Sequence, residues 1–483
     1  DPGPHPPSFR HRPTSMTRAS ITDILQACDG ELLRPAERSI TAGLTTDSRA
    51  VTPGSLFLAL SGERFDGNLY AAEATRRGAA AVIISRLCGE PGSPERDFAP
   101  GAGIILVRDG LAALQALASW WRGQLEPIRV IGLTGSSGKT STKDMCAAIL
   151  AERYRTTATR GNLNNHIGVP LSILGTEQGT EAAVWEMGMN HAGELAPLCA
   201  MTRPSIGIIT TIGSAHIEYL GSREAIAHEK CTLARALPAD GCMIYPARDD
   251  FADMIAADTA GTPLPVGGPD DAVRALDIRS SARGSHYTLC IDGLGSIDIE
   301  LPVPGAHMVS NSLLAAAAGW KLGCSLEQIA RGLSSTALTR GRLACREIDG
   351  YTVIDDSYNA NPESMKAALE TVADLRGPTR RIAVLGKMGE LGQAGISAHA
   401  AVGKLAADLG YAALVIVGPE CPETLALSQD AAGRIPCAIV PGPDEAAETL
   451  RRIMRPGDAL LFKGSRAAGM ERSLYALFPA LKP

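Results

Sequence analysis

Thr134-Gly-Ser-Ser-Gly-Lys-Thr-Ser141 carries the residue types that bind a polyphosphate. Glycines let main-chain N–H groups converge on phosphate oxygens, and a helix N-terminus adds partial positive charge. Gly135, Ser136, Ser137, Gly138, Lys139, Thr140 and Ser141 are therefore the candidate nucleotide residues. Lys139 has the reach for β- and γ-phosphates, and the Thr140 hydroxyl suits a Mg²⁺ ion. Leu133 stands where the longer G-x-x-x-x-G-K-[ST] pattern has its first glycine. A glycine-rich turn with an exposed lysine is the plain alternative.

Three further side chains could join a cation or a reaction centre. Glu186 ends an apolar run in Val184-Trp-Glu-Met-Gly-Met-Asn190, and His216 follows another in Thr210-Thr-Ile-Gly-Ser-Ala-His216. Side chains projecting from the carboxyl ends of neighbouring parallel strands meet in one crevice. A hard cation prefers oxygen, so by type alone His216 also reads as a packing or capping residue. Lys230, in Ala227-His-Glu-Lys-Cys-Thr-Leu233, reads by itself as a solvated lysine.

The elements that must position these groups follow from patterning. Ile128–Thr134 reads as a strand running into a helix from Lys139, and Ala182–Met187 and Ile206–Ile212 as buried parallel strands. Ser285–Val303 alternates like antiparallel strands with turns at Asp292-Gly293 and Leu294-Gly295, before an Ala-rich helix over Ser312–Lys321. Strands are expected at Tyr351–Asp355, Arg381–Leu385, Ala413–Val417 and Ala459–Phe462, in the alternation of a doubly wound sheet. Nearer the start, Ser55–Leu60 and Ala80–Ser85 read as short strands, with a Gly/Pro-rich loop over Gly89–Gly103.

Composition limits the function classes. The 483 residues are 45% hydrophobic and 20% charged, which excludes wholesale disorder. Forty-six Lys+Arg against 52 Asp+Glu give a net charge of −6, against the basic excess of nucleic-acid binders. No nucleic-acid partner is expected. The 11 cysteines contain no C-x-x-C pair, so reduced thiols and a cytoplasmic location are expected. No apolar run approaches a membrane span, so no membrane insertion is expected. Residues 1–15 hold five prolines and no apolar core, and are read as a leader or tag before Met16.

From about Thr45 to Leu474 the chain resembles the Mur ligase family. Thr-Gly-Ser-Ser-Gly-Lys-Thr-Ser-Thr-Lys-Asp-Met from Thr134 is similar to its compact ATP loop. The resemblance implies a three-domain α/β architecture with a central P-loop-type ATPase domain and a C-terminal Rossmann-like doubly wound domain. The implied boundaries are residues 16–126 for a UDP-sugar-peptide domain, 127–339 for the ATP domain and 340–483 for a domain binding the incoming dipeptide. It further implies that Lys230 reacts with CO₂ to a carbamate and, with Thr140, Glu186 and His216, holds Mg²⁺.

Other segments extend the resemblance. Pro304-Gly-Ala-His-Met-Val-Ser-Asn-Ser-Leu313 resembles the adenine-reading segment, with Asn311 as the base-pairing amide and Met308 where an asparagine is usual. An asparagine capping the Ala-rich helix is the alternative for Asn311. Gly341-Arg342-Leu343 supplies an arginine for the γ-phosphate. Val353-Ile-Asp-Asp-Ser-Tyr-Asn-Ala-Asn-Pro-Glu-Ser-Met365 resembles the signature of the branch that adds D-alanyl-D-alanine. There Asp356 is expected at the ribose or its water, and Tyr358, Asn359 and Asn361 toward the dipeptide.

Gly386-Lys-Met-Gly-Glu-Leu-Gly392, His399 and Phe462-Lys-Gly-Ser-Arg466 complete the C-terminal set, with Lys387 in place of a frequent aspartate. Ser48 and Arg49, in Leu44-Thr-Thr-Asp-Ser-Arg49, and Asn162, Asn164 and Asn165, in Gly161–Gly168, are implied contacts of a UDP-N-acetylmuramoyl-tripeptide. Asn68 and His166 stand in places where other residues are common.

The expected activity is an ATP-dependent ligation of D-alanyl-D-alanine to that tripeptide through an acyl phosphate, by a monomer. A sister ligase that adds a diamino acid is the nearest alternative, but its Asp-Asn-Pro-Arg tetrapeptide is missing here. A non-ligase phosphate-loop protein is the alternative from another class. No Asn-Lys-x-Asp segment speaks for a GTPase.

Overall fold

The computed structural model describes residues 19–63, 65–88 and 97–482. The expected leader, residues 1–15, and residues 89–96 of the Gly/Pro-rich segment lie outside them. The described chain forms two compact units. One holds the described residues up to Ile128 with Asn162–Glu181 and Ala200–Thr202, and the other holds Arg129–Gly161, Ala182–Cys199 and Arg203 onward.

The first unit is built on strands β1 (Glu31–Arg34), β2 (Leu44–Thr45), β3 (Leu56–Leu58), β4 (Ala81–Ile84) and β5 (Gly103–Leu106). Their order is β1-β5-β4-β3-β2, parallel except for β1 against β5. Phe57, Val82, Ile84 and Ile104 are at most 1% exposed, as strands covered on both faces require. Helix α1 (Gly110–Gln124) packs on α3 (Gly168–Leu174), where the Trp121 indole N–H donates to the Thr176 carbonyl at 3.0 Å. Each buried Val, Leu or Ile contributes roughly 1.5–3 kcal/mol.

The second unit carries three sheets. Its six-stranded parallel sheet contains β6 (Arg129–Thr134), β7 (Thr156–Ala158), β8 (Ala182–Glu186), β9 (Ile206–Ile209), β10 (Cys242–Pro246) and β11 (Thr262–Val266). The order is β11-β10-β9-β6-β8-β7. The chain leaves β6 for β7, returns to β8 beside β6, and crosses to β9 on the other side. The loops after β8, β6 and β9 therefore share one sheet end, the topological switch point at which α/β sheets bind ligands. Registers Glu186 with Leu133 and Ile209 with Thr134 bring those ends level.

Helix α2 (Lys139–Ala151) starts at the expected lysine and packs against α5 (Ala306–Lys321), whose residues 315–318 are all alanine and fully buried. Small side chains permit that approach, and a Cβ on Gly319 would lie 2.5 Å from Ile149. The expected Ser312 start is corrected here, because the helix begins six residues earlier at Ala306.

An antiparallel sheet of β12 (Val273–Ser281), β13 (Gly284–Ile291) and β14 (Gly295–Leu301) follows, of which β12 had no sequence expectation. The last sheet comprises β15 (Ala344–Ile348), β16 (Tyr351–Asp356), β17 (Arg380–Gly386), β18 (Ala413–Val417), β19 (Cys437–Val440) and β20 (Asp458–Lys463). Its order β15-β16-β20-β17-β18-β19 is parallel except for the edge strand β15. The doubly wound reading holds, with β15 and β19 added. Helix α6 (Pro362–Asp374) follows β16 and opens with Pro362 at its first turn and Asn361 as cap. Among the described residues no helix is long and apolar enough to cross a membrane.

Candidate active site

The loop after β6 wraps tightly because two of its residues are glycine. Gly138 sits at φ +82°, and a Cβ there would lie 2.6 Å from Asn311 Oδ1. No side chain caps α2, which begins directly after Gly138. Its first-turn N–H groups and positive dipole end are a ready anion site.

The Lys139 ammonium donates to the Gly135 carbonyl at 2.7 Å, closing the loop on itself. Burial pushes the Lys139 pKa down, Glu186 opposes that shift, and Arg342 adds to it. Ser136 N donates to the Thr211 carbonyl at 2.8 Å, and the Thr210 hydroxyl donates to the Ser137 carbonyl. Ser141 is buried in the first turn of α2.

Thr140 is the point of convergence. Its hydroxyl donates to Glu186 Oε2 at 3.0 Å and accepts from an Arg342 guanidinium nitrogen at 3.2 Å. The same guanidinium stacks over the Tyr358 ring at 4.2 Å, while Arg342 Nε is buried with no protein partner among the described residues. A buried guanidinium donor left unpaired costs free energy unless a bound anion satisfies it. Glu186 is 2% exposed, and its main-chain N–H donates to the Thr159 hydroxyl at 2.9 Å.

Lys230 ends helix α4 (Arg223–Lys230) and is 1% exposed. Burial first, then the charge of Lys139, holds its pKa well below the usual lysine range. Its neighbour Glu229 accepts from Gly193 N at 3.0 Å and Leu195 N at 3.1 Å. That carboxylate is thereby committed to a turn. Lys230 is a buried amine, and the solvated alternative does not describe it.

His216 adopts φ +67° at the start of the short helix Ile217–Leu220, and its Nδ1 lies 2.5 Å from Glu390 Oε2. His216 in turn holds the Glu390 carboxyl below its usual range. Among the described residues no group of three or more His, Cys, Asp or Glu side chains could hold a metal ion. A hard cation here needs the Thr140–Glu186 oxygen pair and further oxygens. That donor set fits Mg²⁺, which favours oxygen and keeps water ligands.

Several expected residues already have partners within the protein. Asn311 lies inside α5, not at its cap, and is buried against Gly138 with its amide 3.7 Å from the Met308 sulfur. The capping alternative is thus corrected, because α5 starts five residues before it. Asp356 Oδ1 accepts from Leu343 N at 3.1 Å and Oδ2 pairs with the buried Lys463 at 2.5 Å. The second contact follows from the parallel register of β16 and β20, which sets Asp356 beside Lys463. Lys463 also donates to the Asn359 carbonyl at 3.0 Å, whereas Arg466 is exposed and paired with Glu471.

Asn361 caps α6 through Oδ1 at 2.8 Å from Ser364 N, and its Nδ2 donates to the Ser136 carbonyl at 3.2 Å. Buried His399 accepts from Met388 N at 2.9 Å and steadies the Gly386–Gly392 turn. Lys387 is exposed and paired with Glu423. Glu363 and Glu390 had no assigned role in the sequence reading, although both stand inside quoted runs. Nothing local announces them, since their partners lie 149 and 174 residues away.

In the first unit, Ser48 opens a short 3₁₀ turn, and Arg49 forms a two-pronged pair with Asp47 at 2.9 Å in each arm. Asn68 is buried, its amide shared among Ser61, Asp66 and Ser85. Asn165 Oδ1 accepts from Ile167 N and Gly168 N at the start of α3, and the Asn162 carbonyl accepts from Asn164 N. The His166 carbonyl accepts from Gln115 on α1.

Family comparisons agree with this layout. The Mur ligase family catalytic domain matches residues 41–122, the Mur ligase middle domain 133–319, and the Mur ligase glutamate ligase domain 341–466. A Bacillus subtilis UDP-N-acetylmuramoyl-tripeptide--D-alanyl-D-alanine ligase is 39% identical over 78% of this chain and 80% of its own length. A crystal structure of MurF from Acinetobacter baumannii superposes with a TM-score of 0.85 at 32% identity, covering 94% of this chain and 97% of that one. MurF ligase from Thermotoga maritima in complex with ADP superposes at 0.79 with 27% identity, covering 90% and 96%.

Proposed function

The chain belongs to the Mur ligase family, and from that premise we propose that it joins D-alanyl-D-alanine to UDP-N-acetylmuramoyl-tripeptide at the expense of ATP. The observation that carries the reading is the Arg342 guanidinium held between Tyr358 and Thr140, which links the Asp355–Asn361 run to the phosphate loop. ATP use is supported by the loop geometry and by the ADP complex of the Thermotoga maritima relative.

In this reading residues 16–126 hold the UDP-muramoyl substrate, residues 127–339 the ATP, and residues 340–483 the dipeptide. Ser48, Arg49, Asn162, Asn164 and Asn165 serve the first, and Tyr358 and Asn359 the last. Lys139 and Arg342 stabilise negative charge on the γ-phosphoryl group as it moves to the tripeptide carboxylate, forming an acyl phosphate. The neutral amine of the dipeptide then attacks the acyl carbon, the C–N bond forms, and phosphate leaves. Mg²⁺, when bound at Thr140 and Glu186, neutralises phosphate charge. His216 and a carbamylated Lys230 complete its surroundings.

Carbamate formation joins the neutral lysine nitrogen to CO₂ and releases a proton. It is therefore favoured by a buried amine whose pKa is lowered. A cytoplasmic location is supported by the 11 free thiols and by a UDP-linked substrate.

Mixing the protein with ATP, Mg²⁺, UDP-muramoyl-tripeptide and D-alanyl-D-alanine should release phosphate in step with product. Release that is unchanged when the dipeptide is omitted would refute the ligase reading. Lys230→Ala should lose about a hundredfold or more in kcat and recover part of it with added short carboxylates. Full activity in that variant would remove the carbamate.

A further inference from the structure

The turn between β9 and His216 is held by three successive main-chain N–H groups, each donating to a different side chain. Ile212 N donates to Asp249 Oδ2 at 2.9 Å, Gly213 N to Ser136 Oγ at 2.9 Å, and Ser214 N to Glu363 Oε1 at 2.7 Å. Asp249 and Ser136 belong to loops of the nucleotide-binding sheet. Glu363 comes from α6, 149 residues further along the chain.

The third contact is the most elaborate. Ser214 Oγ also donates to Glu363 Oε1, at 2.9 Å, so one carboxylate oxygen takes both donors of a single residue. The approach is close enough that a Cβ on Gly213 would lie 2.5 Å from Glu363 Cδ. Glu363 Oε2 is buried with no protein partner among the described residues. A first-turn glutamate gains from the helix dipole without any partner, so helix stability alone does not call for this placement. Asn361, two residues earlier, fixes the start of α6 to the phosphate loop through the Ser136 carbonyl. Ser136 thus touches both the turn and the helix that braces it.

The braced segment needs support. Two residues after Ser214, His216 sits in the left-handed region, which a non-glycine residue keeps only when its surroundings impose it. Its ring is gripped by Glu390, a second carboxylate from the C-terminal sheet.

We propose that Glu363 is a positioning residue for the reaction, which sets the His216 turn against the phosphate loop. The inference rests on the ligase reading above. It makes the placement of His216 depend on α6 through the main chain at Ser214, and on Glu390 through the ring.

The test is steady-state kinetics with the full chain and both substrates. Glu363→Ala should lower kcat about tenfold or more, as expected for losing a charge-assisted pair of hydrogen bonds, with the KM for ATP within threefold of wild type. Glu363→Asp, one methylene too short to reach Ser214, should show a similar loss. Glu363→Gln, which keeps an acceptor in place, should recover most of it. In a His216→Ala background, Glu363→Ala should cost less than twofold, because the residue acts through that turn. If Glu363→Ala or Glu363→Asp matches an active wild type, or if the His216 and Glu363 losses multiply in full, the proposal is overturned. If Glu363→Ala does not fold, Glu363→Asp and Glu363→Gln decide the question. An inactive wild type would instead refute the ligase reading, and this proposal with it.

Discussion

The phosphate loop and the Asp47–Arg49 surface of the first unit both carry cations suited to phosphate, yet they are built in opposite ways. Around the loop, Thr140 and Glu186 are buried, Thr140 bonds both Glu186 and Arg342, and Lys139 is tied to the Gly135 carbonyl. At the surface, the Arg49 side chain is 84% exposed and pairs with its neighbour Asp47, while Phe65 and Tyr70 stack on each other in solvent. Phosphoryl transfer demands charges fixed before the barrier is reached, so its machinery is rigid and each part depends on the rest. Recognition of a soluble ligand tolerates side chains that the ligand itself orders. A single change should therefore cost both stability and rate in the first region, and affinity alone in the second.

The largest effect is expected from Gly138→Ala. The new Cβ would meet Asn311 Oδ1 at 2.6 Å at a left-handed φ, so the loop must move. ATP affinity by calorimetry and kcat should each fall about a hundredfold, with a lower melting temperature. Unaltered ATP binding would mean that this region is softer than its packing implies.

A middle-sized effect should appear on the same side of the comparison through His307. Burial drives its pKa down to about 4, against a weaker upward pull from Asp356 and with Lys463 adding to the decrease, and its Nδ1 lies 3.5 Å from the Thr371 hydroxyl. Because the folded value lies below the ordinary 6.5, the unfolded chain takes up the proton first. Stability is thus complete above pH 6.5 and falls as the pH drops toward 4. The contribution is on the order of 3 kcal/mol. Urea titrations at both ends of that window should show a smaller pH difference in His307→Gln than in wild type, and an equal difference would exclude His307 as the source.

The smallest effect belongs to the exposed region. Arg49→Ala removes a solvent-exposed pair that water screens, so the melting temperature should not change measurably. The KM for the UDP-muramoyl substrate should rise about tenfold with kcat retained. A matching fall in kcat would place Arg49 with the rigid machinery after all.

Legibility in the sequence followed the range of the interaction. Strand β6 and the helix start at Lys139 lie within a residue of their expected places, because aliphatic runs and a glycine turn act locally. Strands β8, β18 and β20 were equally legible. The edge strands β15 and β19 were not, since Ala344–Ile348 is interrupted by Arg346 and Glu347, Cys437–Val440 is only four residues long, and both are only partly covered. The cap, offered as the alternative for Asn311, follows from its type, but the helix starts five residues earlier and Asn311 packs against Gly138 from inside it. Asp356, expected at the ribose or its water, also pairs with Lys463, a partner 107 residues away that only the parallel pairing of β16 with β20 brings beside it.

By itself, the order of residues determined that a strand runs through a glycine turn into a helix, which lysine and hydroxyl open that helix, and that parallel strands carry Glu186 and the His216 segment beside it. These follow from periodicity and turn chemistry over a dozen residues. Only the tertiary structure decided that Glu186 meets Thr140, that Glu390 holds His216, that Glu363 holds Ser214, and that Lys230 is buried. Each such pairing joins residues far apart in the chain, so it depends on strand order and on which helices cover each sheet. Those are properties of the packed whole, set by the burial of many side chains at once.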